Sequence, residues 1–475
     1  MRTAQTPRWG LLAVAALVTV GIVGVLVYPT YPNYDSYYSL LWGRELLHGT
    51  SPSFEAYRAP TEHPLAIAFG ALLALFGQGA DRLMVGATVL SFVALAAGLY
   101  RLAAVSFTRL VGVVAVLLLC TRFDFPFLAL RAYVDIPYVA LVLWAAVLEA
   151  ERPRRGQPVF LLLAAAGLLR PEAWLLSGAY FLWMAVPASW PERVRFAALT
   201  AIGPVVWTLV DTAVTGNPLF SLRHTSGLAE ELGRQESTGL LPQTIFEILR
   251  SLDKTPVLLA AVPGFVAAVL LRRRRGTVPL ALLVLGLVTF VLLIAGGASV
   301  VQRYLTVPAL VIMIYAGVGV AGWTLLPPGD RVRQGWAAIA GLLVVYAALF
   351  TVTHVTPSKF TDELQFRQDY HQSLSTLLHD PAVRAARRCG PVSLPNHKLI
   401  PEVRWILGAG AGDVVARSDR HERRRVRRGG VAIYARAGKA FLRYGYKPDG
   451  IRVALPLPGY RTAAQTAMFR ADVRC

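Results

Sequence analysis

The chain has 475 residues, of which 55% are hydrophobic and 16% are charged, and its mean hydropathy is +0.49. This composition excludes an ordinary soluble domain and predicts a polytopic α-helical membrane protein. The net charge of +20 would favour nucleic-acid binding in a soluble protein. In a membrane protein, arginines and lysines gather on one side of the bilayer, so we expect membrane lipids and not nucleic acid as partners.

The first apolar segment covers residues 10–28 and is long enough to cross a bilayer core of about 30 Å. Arg2 and Arg8 precede it and no small-residue cleavage site follows, so we expect a retained span with a cytoplasmic N-terminus. The stretch behind it, "YPNYDSYYSLLWGRELLHGT", repeats apolar residues at helical spacing from Tyr38 onward, with polar residues on the opposite face. This pattern predicts a helix that lies along the membrane surface just outside the first span.

The remaining apolar segments of the first 353 residues are interrupted in two places. Charged residues and a proline interrupt residues 111–134, and Arg-Pro-Glu interrupts residues 159–186, where Pro171 removes a helical hydrogen bond. The pattern predicts about 11 to 13 transmembrane helices, with 13 favoured. The uninterrupted segments lie at residues 64–78, 83–105, 136–149, 159–169, 173–186, 196–214, 256–271, 278–295, 304–326 and 336–352.

Three connections between predicted spans are short and basic: "ERPRRGQ", "RRRRG" and "PPGDRVRQG". Arginine clusters next to span ends mark the cytoplasmic side, and all three fall on that side only if residues 159–186 form two short spans. In this arrangement the first loop, the other long loops and everything after residue 353 lie on the outer face. We therefore expect a multi-pass protein of the cell membrane whose polar chemistry is extracytoplasmic.

The apolar runs stop after residue 353, and residues 354–475 alternate helical and strand-like pieces. This pattern predicts a small extracytoplasmic α/β domain behind a transmembrane domain of residues 1–353. Within the second domain, "RSDRHERRRVRRGG" is typical of an exposed loop that faces solvent or lipid headgroups.

The chain has 3 cysteines. Cys120 lies in an apolar run, and we expect it to be buried. Cys389 and Cys475 both fall in the outer domain beside strand-like pieces, so a disulfide between them is chemically permitted and would contribute about 4 kcal/mol in the chain-entropy model. Two unpaired thiols are the alternative. The cysteines are scattered and no His/Cys pair has metal-ligand spacing, which argues against a zinc site.

Acids and arginines recur where the predicted spans meet the outer face. Asp35 follows the first span, Asp135 begins another, Arg170 and Glu172 break a third, and Arg303 opens a late one. Asp35 is either the N-cap of the surface helix or a carboxylate at the water–lipid boundary, where partial desolvation makes it a better base. Each arginine either reaches to the interface to solvate its own charge or binds an anion.

Several short motifs occur in an order that resembles a known superfamily. They are the first loop with its aspartate, "YRAPTEHPLAIAFG", in which His-Pro begins the second span, "RAYVDIPYVALVLWAAVLEA", "LLLAAAGLLRPEAWLL" and "QRYLTVPAL". Together they resemble the GT-C superfamily of polytopic glycosyltransferases, in particular the branch that contains protein O-mannosyltransferases and aminoarabinose transferases. The resemblance covers roughly the first 320 residues at the level of span order and loop motifs.

The resemblance implies a sugar donor that is carried on a polyprenyl phosphate and used on the outer face of the membrane. It implies that the Asp35 carboxylate acts on the acceptor, with Asp135 as a second acid that orients or supports it. Such a transfer needs a base for the acceptor hydroxyl and cations for the phosphate leaving group. Arg303, with Tyr304 beside it, is the first candidate for the phosphate. Further candidates are Arg170, Arg58 and His63 for the phosphate, and Tyr38, Glu62 and Glu172 for the substrate.

Simpler roles stay open for some of these residues. His63 precedes Pro64 and caps a helix in the simpler interpretation, and Glu62 and Glu172 pair with arginines. No cofactor is required, but a divalent cation held by the first-loop aspartate and the second acid stays open, because some GT-C enzymes use one.

The sequence departs from the family in one informative place. Ser36 follows Asp35, whereas protein O-mannosyltransferases have an acidic neighbour there, so transfer to protein serine or threonine is not supported. The acceptor, whether lipid, glycan or protein, stays open, as does the sugar. The main alternative function is a membrane transporter or lipid flippase, which predicts charges near the bilayer centre, and a non-catalytic scaffold is the third. The charges collect at one face, which favours the transferase.

Overall fold

The structure, a computed structural model, describes residues 8–234, 240–272, 275–354, 357–436 and 438–475. Arg2 and two arginines of "RRRRG", which entered the prediction of sidedness, lie outside these residues. The described chain forms a helical domain followed by a smaller α/β domain. Helices α1 to α16 of the helical domain are Arg8–Val27, Tyr34–Leu47, Pro64–Ala74, Ala80–Ser106, Arg109–Thr121, Asp124–Leu130, Asp135–Glu151, Gln157–Leu169, Glu172–Ala185, Trp190–Thr215, Phe220–Glu231, Leu241–Asp253, Thr255–Arg272, Thr277–Ala295, Thr306–Ala321 and Arg331–His354.

Six helical segments of the described chain are long and apolar enough to cross a membrane, and a seventh follows if α5 and α6, which are bent by 64° at their junction, form one span. The predicted count of about 11 to 13 spans is therefore not confirmed. Several apolar helices are too short to cross a core of about 30 Å alone, since α3 has 11 residues and α8 has 13. The predicted break at Pro171 is present, because α8 ends at Leu169 and α9 begins at Glu172.

Helix α2 is enclosed and does not lie half-exposed as a surface helix would. Its residues from Ser36 to Gly43 are all buried, between α3 on one side and the C-terminal domain on the other. A Cβ atom on Gly43 would overlap the backbone of Gly70 and Ala71, and one on Gly70 would overlap the backbone of Ser39. The two helices therefore approach at backbone distance, which glycine permits because it has no side chain.

The C-terminal domain contains a five-stranded mixed sheet in the order β2-β1-β3-β5-β4. Strand β1 pairs in parallel with β2 and β3, whereas β5 pairs antiparallel with β3 and β4. All six residues of β3 are buried, which is typical of a central strand covered on both faces. The strands β1 to β5 are Val392–Leu394, Val414–Ala416, Gly430–Ala435, Arg461–Gln465 and Phe469–Arg474, and the helices α17 to α21 are Pro357–Leu378, Pro381–Ala386, Ile400–Leu407, Arg423–Arg428 and Gly438–Ala440.

Cys389 and Cys475 form a disulfide, with their Cα atoms 5.1 Å apart. The bond joins the segment before β1 to the end of β5, two strands away in the sheet. Cys120 is unpaired and half-buried. The arginine-rich stretch predicted as an exposed loop contains the short helix α20. The first residue of the stretch, Arg417, is buried and donates hydrogen bonds to the carbonyl oxygens of Ser393 and Ile433. The prediction of an exposed loop is therefore wrong for Arg417, because its guanidinium is buried where it binds the backbone carbonyl oxygens of β1 and β3.

Helix α2 and the first loop that follows it bind the C-terminal domain through ion pairs. Arg404 on α19 is fully buried, and its Nη2 lies 2.6 Å from Glu45 Oε1 on α2. Arg58 Nη1 in the first loop lies 2.8 Å from Asp449 Oδ1. The first loop and the C-terminal domain therefore lie on the same side of the helical domain.

Candidate functional site

Five of the predicted residues form a continuous chain of alternating charge, called the ion chain below. Arg303 Nη1 lies 3.1 Å from Asp35 Oδ2 and 3.3 Å from Asp135 Oδ2. Arg170 Nη1 binds the other oxygen of Asp135, and Arg170 Nε lies 2.9 Å from Glu172 Oε1. Three carboxylates and two guanidiniums take part, so the ion chain has one negative charge in excess.

Helix ends bring these side chains together. Asp135 begins α7, Arg170 lies in the break between α8 and α9, and Arg303 lies in the short turn Gln302–Leu305 before α15. Charged residues at such positions leave the helix interiors apolar, so the ends converge without placing charge among lipid-facing residues.

Asp35 is not the N-cap of α2. Asn33 caps the helix, because its Oδ1 accepts a hydrogen bond from Ser36 N at 3.0 Å, and the N-cap alternative for Asp35 is therefore wrong. The turn between α6 and α7 holds this helix start: Asn33 N donates to Arg131 O at 2.8 Å, and Ser36 Oγ donates to Ala132 O at 2.5 Å. The Asp35 carboxylate therefore does not cap α2 and binds only Arg303 among the described residues.

The ion chain runs from buried to exposed side chains. The side chains of Asp135, Arg170 and Glu172 are 1%, 7% and 5% exposed, whereas those of Arg303 and Asp35 are 30% and 20% exposed. Each oxygen of Asp135 binds a guanidinium, so this acid orients the two arginines. Oδ1 of Asp35 accepts no hydrogen bond from the described residues. Asp35 is therefore the most exposed acid of the ion chain.

Aromatic rings support the arginines of the ion chain. The guanidinium carbon of Arg170 lies 5.1 Å from the ring centroid of Tyr304 and 5.7 Å from that of Tyr138. The guanidinium carbon of Arg303 lies 5.2 Å from the ring of Tyr133. Such cation–π contacts stabilise a positive charge on a ring face. Tyr304 therefore contacts the buried Arg170 and does not line the cavity described below.

Glu62 and His63 lie buried beside the ion chain. Burial lowers the pKa of His63 to about 4, so the imidazole is neutral, and Nδ1 has no hydrogen-bond partner among the described residues. His63 is the N-cap residue of α3, where its carbonyl oxygen accepts a hydrogen bond from Ile67 N at 2.9 Å, but its side chain makes no capping hydrogen bond. Glu62 Oε2 accepts a hydrogen bond from Ser221 Oγ at 2.8 Å and does not pair with an arginine. Burial raises the pKa of Glu62 to about 7.

Tyr38 packs in the protein interior. Its side chain is fully buried, and its ring centroid lies 5.1 Å from those of both Tyr34 and Trp42. The prediction that Tyr38 binds substrate is therefore wrong, because α2 is enclosed on both sides and this ring belongs to the packing between α2 and its neighbours.

A cavity of about 330 Å³ lies between the helical domain and the C-terminal domain, with Asp35 and Arg303 on its wall. Five arginines and one lysine face only two carboxylates there, so the cavity attracts anions. Burial lowers the pKa of His397 on the same wall to about 3, so this histidine is neutral. The charged wall residues are Asp35, Arg58, Arg131, Arg234, Arg303, Arg367, Lys398 and Glu402.

Much of the cavity wall comes from the C-terminal domain and was not predicted. Arg367 and Tyr370 lie on α17, and His397, Lys398 and Glu402 follow β1. One signal was present in the sequence, because "LPNHKLIPE" places polar residues directly after a strand, where loops commonly carry binding groups. Nothing local in the sequence indicates that this loop meets the first loop of the helical domain.

Arg303 occupies the space between Asp35 and Asp135 that a shared divalent cation would need. In the part of the chain that the structure describes, no group of three or more His, Cys, Asp or Glu residues is arranged to hold a metal ion. Because both carboxylates already bind the guanidinium, this donor set does not fit a divalent cation.

The fold is similar to those of solved membrane proteins, although no protein-family model and no curated protein matches the sequence. The chain resembles ArnT, an aminoarabinose transferase, from Cupriavidus metallidurans bound to undecaprenyl phosphate, with a TM-score of 0.61 and 13% identity over 99% of this chain and 98% of that chain. For ArnT in the apo state the TM-score is 0.58, with 14% identity over 98% and 97% of the chains.

A third similar structure is the oligosaccharyltransferase of Archaeoglobus fulgidus tethered to an acceptor peptide. The TM-score is 0.50, with 10% identity over 86% of this chain and 64% of that chain. All three are membrane glycosyltransferases with the GT-C fold. The chain therefore has the GT-C fold, as its loop motifs predicted, and its structural similarity to ArnT covers both domains.

Proposed function

We propose that the protein is a membrane glycosyltransferase that moves a sugar from a polyprenyl-phosphate donor to an acceptor hydroxyl. The observation that carries this proposal is the position of Asp35, which is the exposed end of a buried ion chain and opens on a basic cavity. A carboxylate base beside a cation is what this transfer needs. The GT-C fold and the undecaprenyl phosphate bound to the similar ArnT structure support the same assignment.

In the proposed reaction, the Asp35 carboxylate accepts the proton of the acceptor hydroxyl while the acceptor oxygen bonds to the anomeric carbon of the sugar. The bond from that carbon to the phosphate oxygen breaks, and its electron pair leaves with the polyprenyl phosphate. One proton reaches Asp35, and one negative charge develops on the phosphate. Arg303, whose Nη1 lies 3.1 Å from Asp35 Oδ2, stabilises this charge electrostatically.

The buried part of the ion chain acts as support in this proposal. Asp135 binds Arg303 and Arg170 at the same time, and Arg170 is bound in turn by Glu172. These contacts fix the Arg303 guanidinium before a substrate arrives, so it needs little reorganisation during the reaction. Arg58 lies on the same cavity wall, where its side chain pairs with Glu231 and the C-terminal domain.

The reaction is proposed to take place on the extracytoplasmic face. The first loop and the C-terminal domain share one side, and the short basic connections that mark the cytoplasmic side belong to the opposite ends of the spans in the predicted arrangement. An acceptor reaches the cavity from that face.

The test is the substitution Asp35→Asn, which keeps the size of the side chain but removes the base. We expect turnover to fall by roughly a hundredfold or more with unchanged expression. Transfer is measured in membranes with a panel of polyprenyl-phosphate sugars labelled in the sugar. Asp362→Asn, at an exposed acid of α17, is the matched control and retains wild-type transfer. Near-normal transfer by Asp35→Asn refutes the assignment of the base.

A further inference from the structure

Two donor groups on the cavity wall have no partner. Arg131 directly follows α6 as its C-cap residue and is 6% exposed, and Asn33 precedes α2 and is 4% exposed. Arg131 Nη1 and Asn33 Nδ2 are both buried and form no hydrogen bond with the described residues. Both residues line the cavity that holds Asp35.

The Arg131 charge is the more unusual of the two. No carboxylate of the described chain lies within ion-pair distance of its guanidinium. The two acids of the cavity wall are engaged elsewhere: Asp35 binds Arg303 at 3.1 Å, and Glu402 binds His371 Nδ1 at 2.6 Å. A buried cation without a counter-ion costs several kcal/mol, so an anionic ligand that binds it offsets this cost.

Hydrogen bonds fix the backbone around these donors. Asn33 N donates to Arg131 O at 2.8 Å, which joins the start of α2 to the turn after α6, and Ser36 Oγ fixes the next carbonyl of that turn. The side chain of Asn33 also uses Oδ1 to cap α2, which leaves Nδ2 as its free donor. Arg131 and Asn33 are therefore joined through their backbones and both line the cavity, and Asn33 precedes the proposed base by two residues.

We propose that Arg131 and Asn33 form an anion-binding position for a phosphate or carboxylate group of a substrate that binds beside Asp35. The group is either the phosphate of the lipid donor or an anionic group on the acceptor. This proposal deepens the proposed function and rests on it for the identity of the ligand. It adds two positioning residues whose role is distinct from that of Arg303, because Arg303 is neutralised by its two carboxylates and Arg131 is not.

The test uses the full-length protein in detergent micelles, with inorganic phosphate and undecaprenyl phosphate as probes. Affinity is read from the concentration dependence of the thermal unfolding temperature. Arg131→Met removes the cation, and Asn33→Asp keeps the helix cap but replaces the amide donor by a carboxylate. Each is expected to weaken anion binding by roughly tenfold or more, as for the loss of a charge-assisted hydrogen bond. Arg461→Met, at an exposed arginine of β4, changes the net charge equally and binds as the wild type does.

A measurement without ligand separates binding from a structural role. Because Arg131 has no counter-ion, Arg131→Met is expected to unfold at the same temperature as the ligand-free wild type or at a higher one. A lower unfolding temperature together with unchanged affinity for both probes overturns the proposal, since the residue then acts only in packing.

Two arms identify the source of the anion. If Arg131→Met weakens binding of undecaprenyl phosphate itself, the donor phosphate occupies the position. In the other arm, Arg131→Met binds undecaprenyl phosphate as the wild type does. If inorganic phosphate then no longer raises the unfolding temperature of this variant when it is saturated with undecaprenyl phosphate, an anionic acceptor occupies the position. A wild type that binds inorganic phosphate through Arg131 but does not bind undecaprenyl phosphate supports the anion position and contradicts the proposed lipid donor. Unchanged binding of both probes by both variants overturns the position itself.

Discussion

At the exposed end of the ion chain, Arg303 contacts both Asp35 and Asp135 through the single atom Nη1. Its Nε and Nη2 form no hydrogen bond with the described residues, so they are available to a phosphate while Nη1 stays in place. A lysine has one nitrogen and cannot hold two carboxylates and a phosphate in the same geometry. The role proposed for Arg303 thus depends on the shape of the guanidinium as well as on its charge.

We predict that Arg303→Lys weakens the affinity for undecaprenyl phosphate by roughly tenfold with little change in the unfolding temperature of the ligand-free protein. The affinity is measured by ligand-dependent thermal unfolding. Arg101→Lys, at an exposed arginine whose Nε lies 2.6 Å from Glu151 Oε1, is the control. An Arg303→Ala variant with wild-type affinity would show that the phosphate binds elsewhere.

Glu62 and Asp211 both contact the hydroxyl group of Ser221. Ser221 Oγ lies 2.8 Å from Glu62 Oε2 and 2.6 Å from Asp211 Oδ1, and it accepts a hydrogen bond from Trp207 Nε1 at 2.8 Å. A hydroxyl has one proton to donate, so one of the two carboxyl groups must carry a proton of its own. Burial raises the pKa of Glu62 to about 7, and we therefore assign this proton to Glu62 below neutral pH.

This proton makes stability depend on pH. The folded protein binds it more tightly than the unfolded chain does, so stability falls as the pH rises from the ordinary value of 4.5 through about 7. Glu62→Gln removes the titration, and we predict that the unfolding temperature of the wild type falls relative to this variant over that range. Glu55→Gln, at an exposed glutamate of the same loop, retains the wild-type profile. A difference between Glu62→Gln and wild type that does not vary with pH contradicts the assignment.

At the scale of the elements, the close contact of α2 with α3 determines where the proposed base lies. Gly43 and Gly70 allow the two backbones to touch, and α2 carries Asp35 in its first turn. We predict that Gly70→Ala lowers both the unfolding temperature and the transfer rate, because the added Cβ overlaps the Ser39 backbone and displaces α2. The typical cost of such overpacking is about 1–3 kcal/mol. Both quantities are measured on the purified protein.

The matched control is Gly86→Ala on α4. A Cβ atom at Gly86 meets no atom within 4 Å, and alanine favours the helix by about 0.5–1 kcal/mol. This variant is expected to be at least as stable as the wild type. Equal effects of the two substitutions would show that the α2–α3 contact tolerates separation.

The sequence predicted which site residues lie at helix ends. It could not predict which segments far apart in the sequence pack against each other. Pro171 breaks a helix for a local reason, and Asp135 and Arg303 stand out because charge is costly inside an apolar run. Arg131 was visible as an interruption, but its lack of a counter-ion depends on which segments pack around it. The span count is not confirmed because hydropathy does not reveal that α3 and α8 are short helices packed against others.

The cavity wall shows the same limit. Arg367 and Lys398 are separated from Asp35 by more than three hundred positions of sequence, and no local pattern indicates that they share a cavity. The capping role assigned as an alternative to Asp35 failed for a local reason, because Asn33 two residues earlier offers a better-placed side chain. Sequence patterns thus located the buried ion chain, while the opposite wall required the packing of the two domains.

At the scale of the whole molecule, the cavity exists because the C-terminal domain docks on the first loop and α2. Arg404 is fully buried at this contact, and its Nη2 lies 2.6 Å from Glu45 Oε1 and 3.3 Å from Ser53 Oγ. Removing one partner of a buried ion pair leaves an uncompensated charge, which costs more than the pair contributes. The docking of the domain is therefore expected to be sensitive to Glu45 in a way that exposed ion pairs are not.

We predict that Glu45→Gln destabilises the protein by about 3–5 kcal/mol and exposes the C-terminal domain to limited proteolysis. The double variant Glu45→Gln/Arg404→Met recovers much of this loss, because it removes the unpaired charge as well. Glu422→Gln, which breaks the exposed pair with Arg425 at 2.8 Å, costs about 1 kcal/mol or less and serves as the control. If the double variant is less stable than Glu45→Gln alone, Arg404 contributes through packing and not through its charge, and the docking of the two domains depends on the apolar part of that contact.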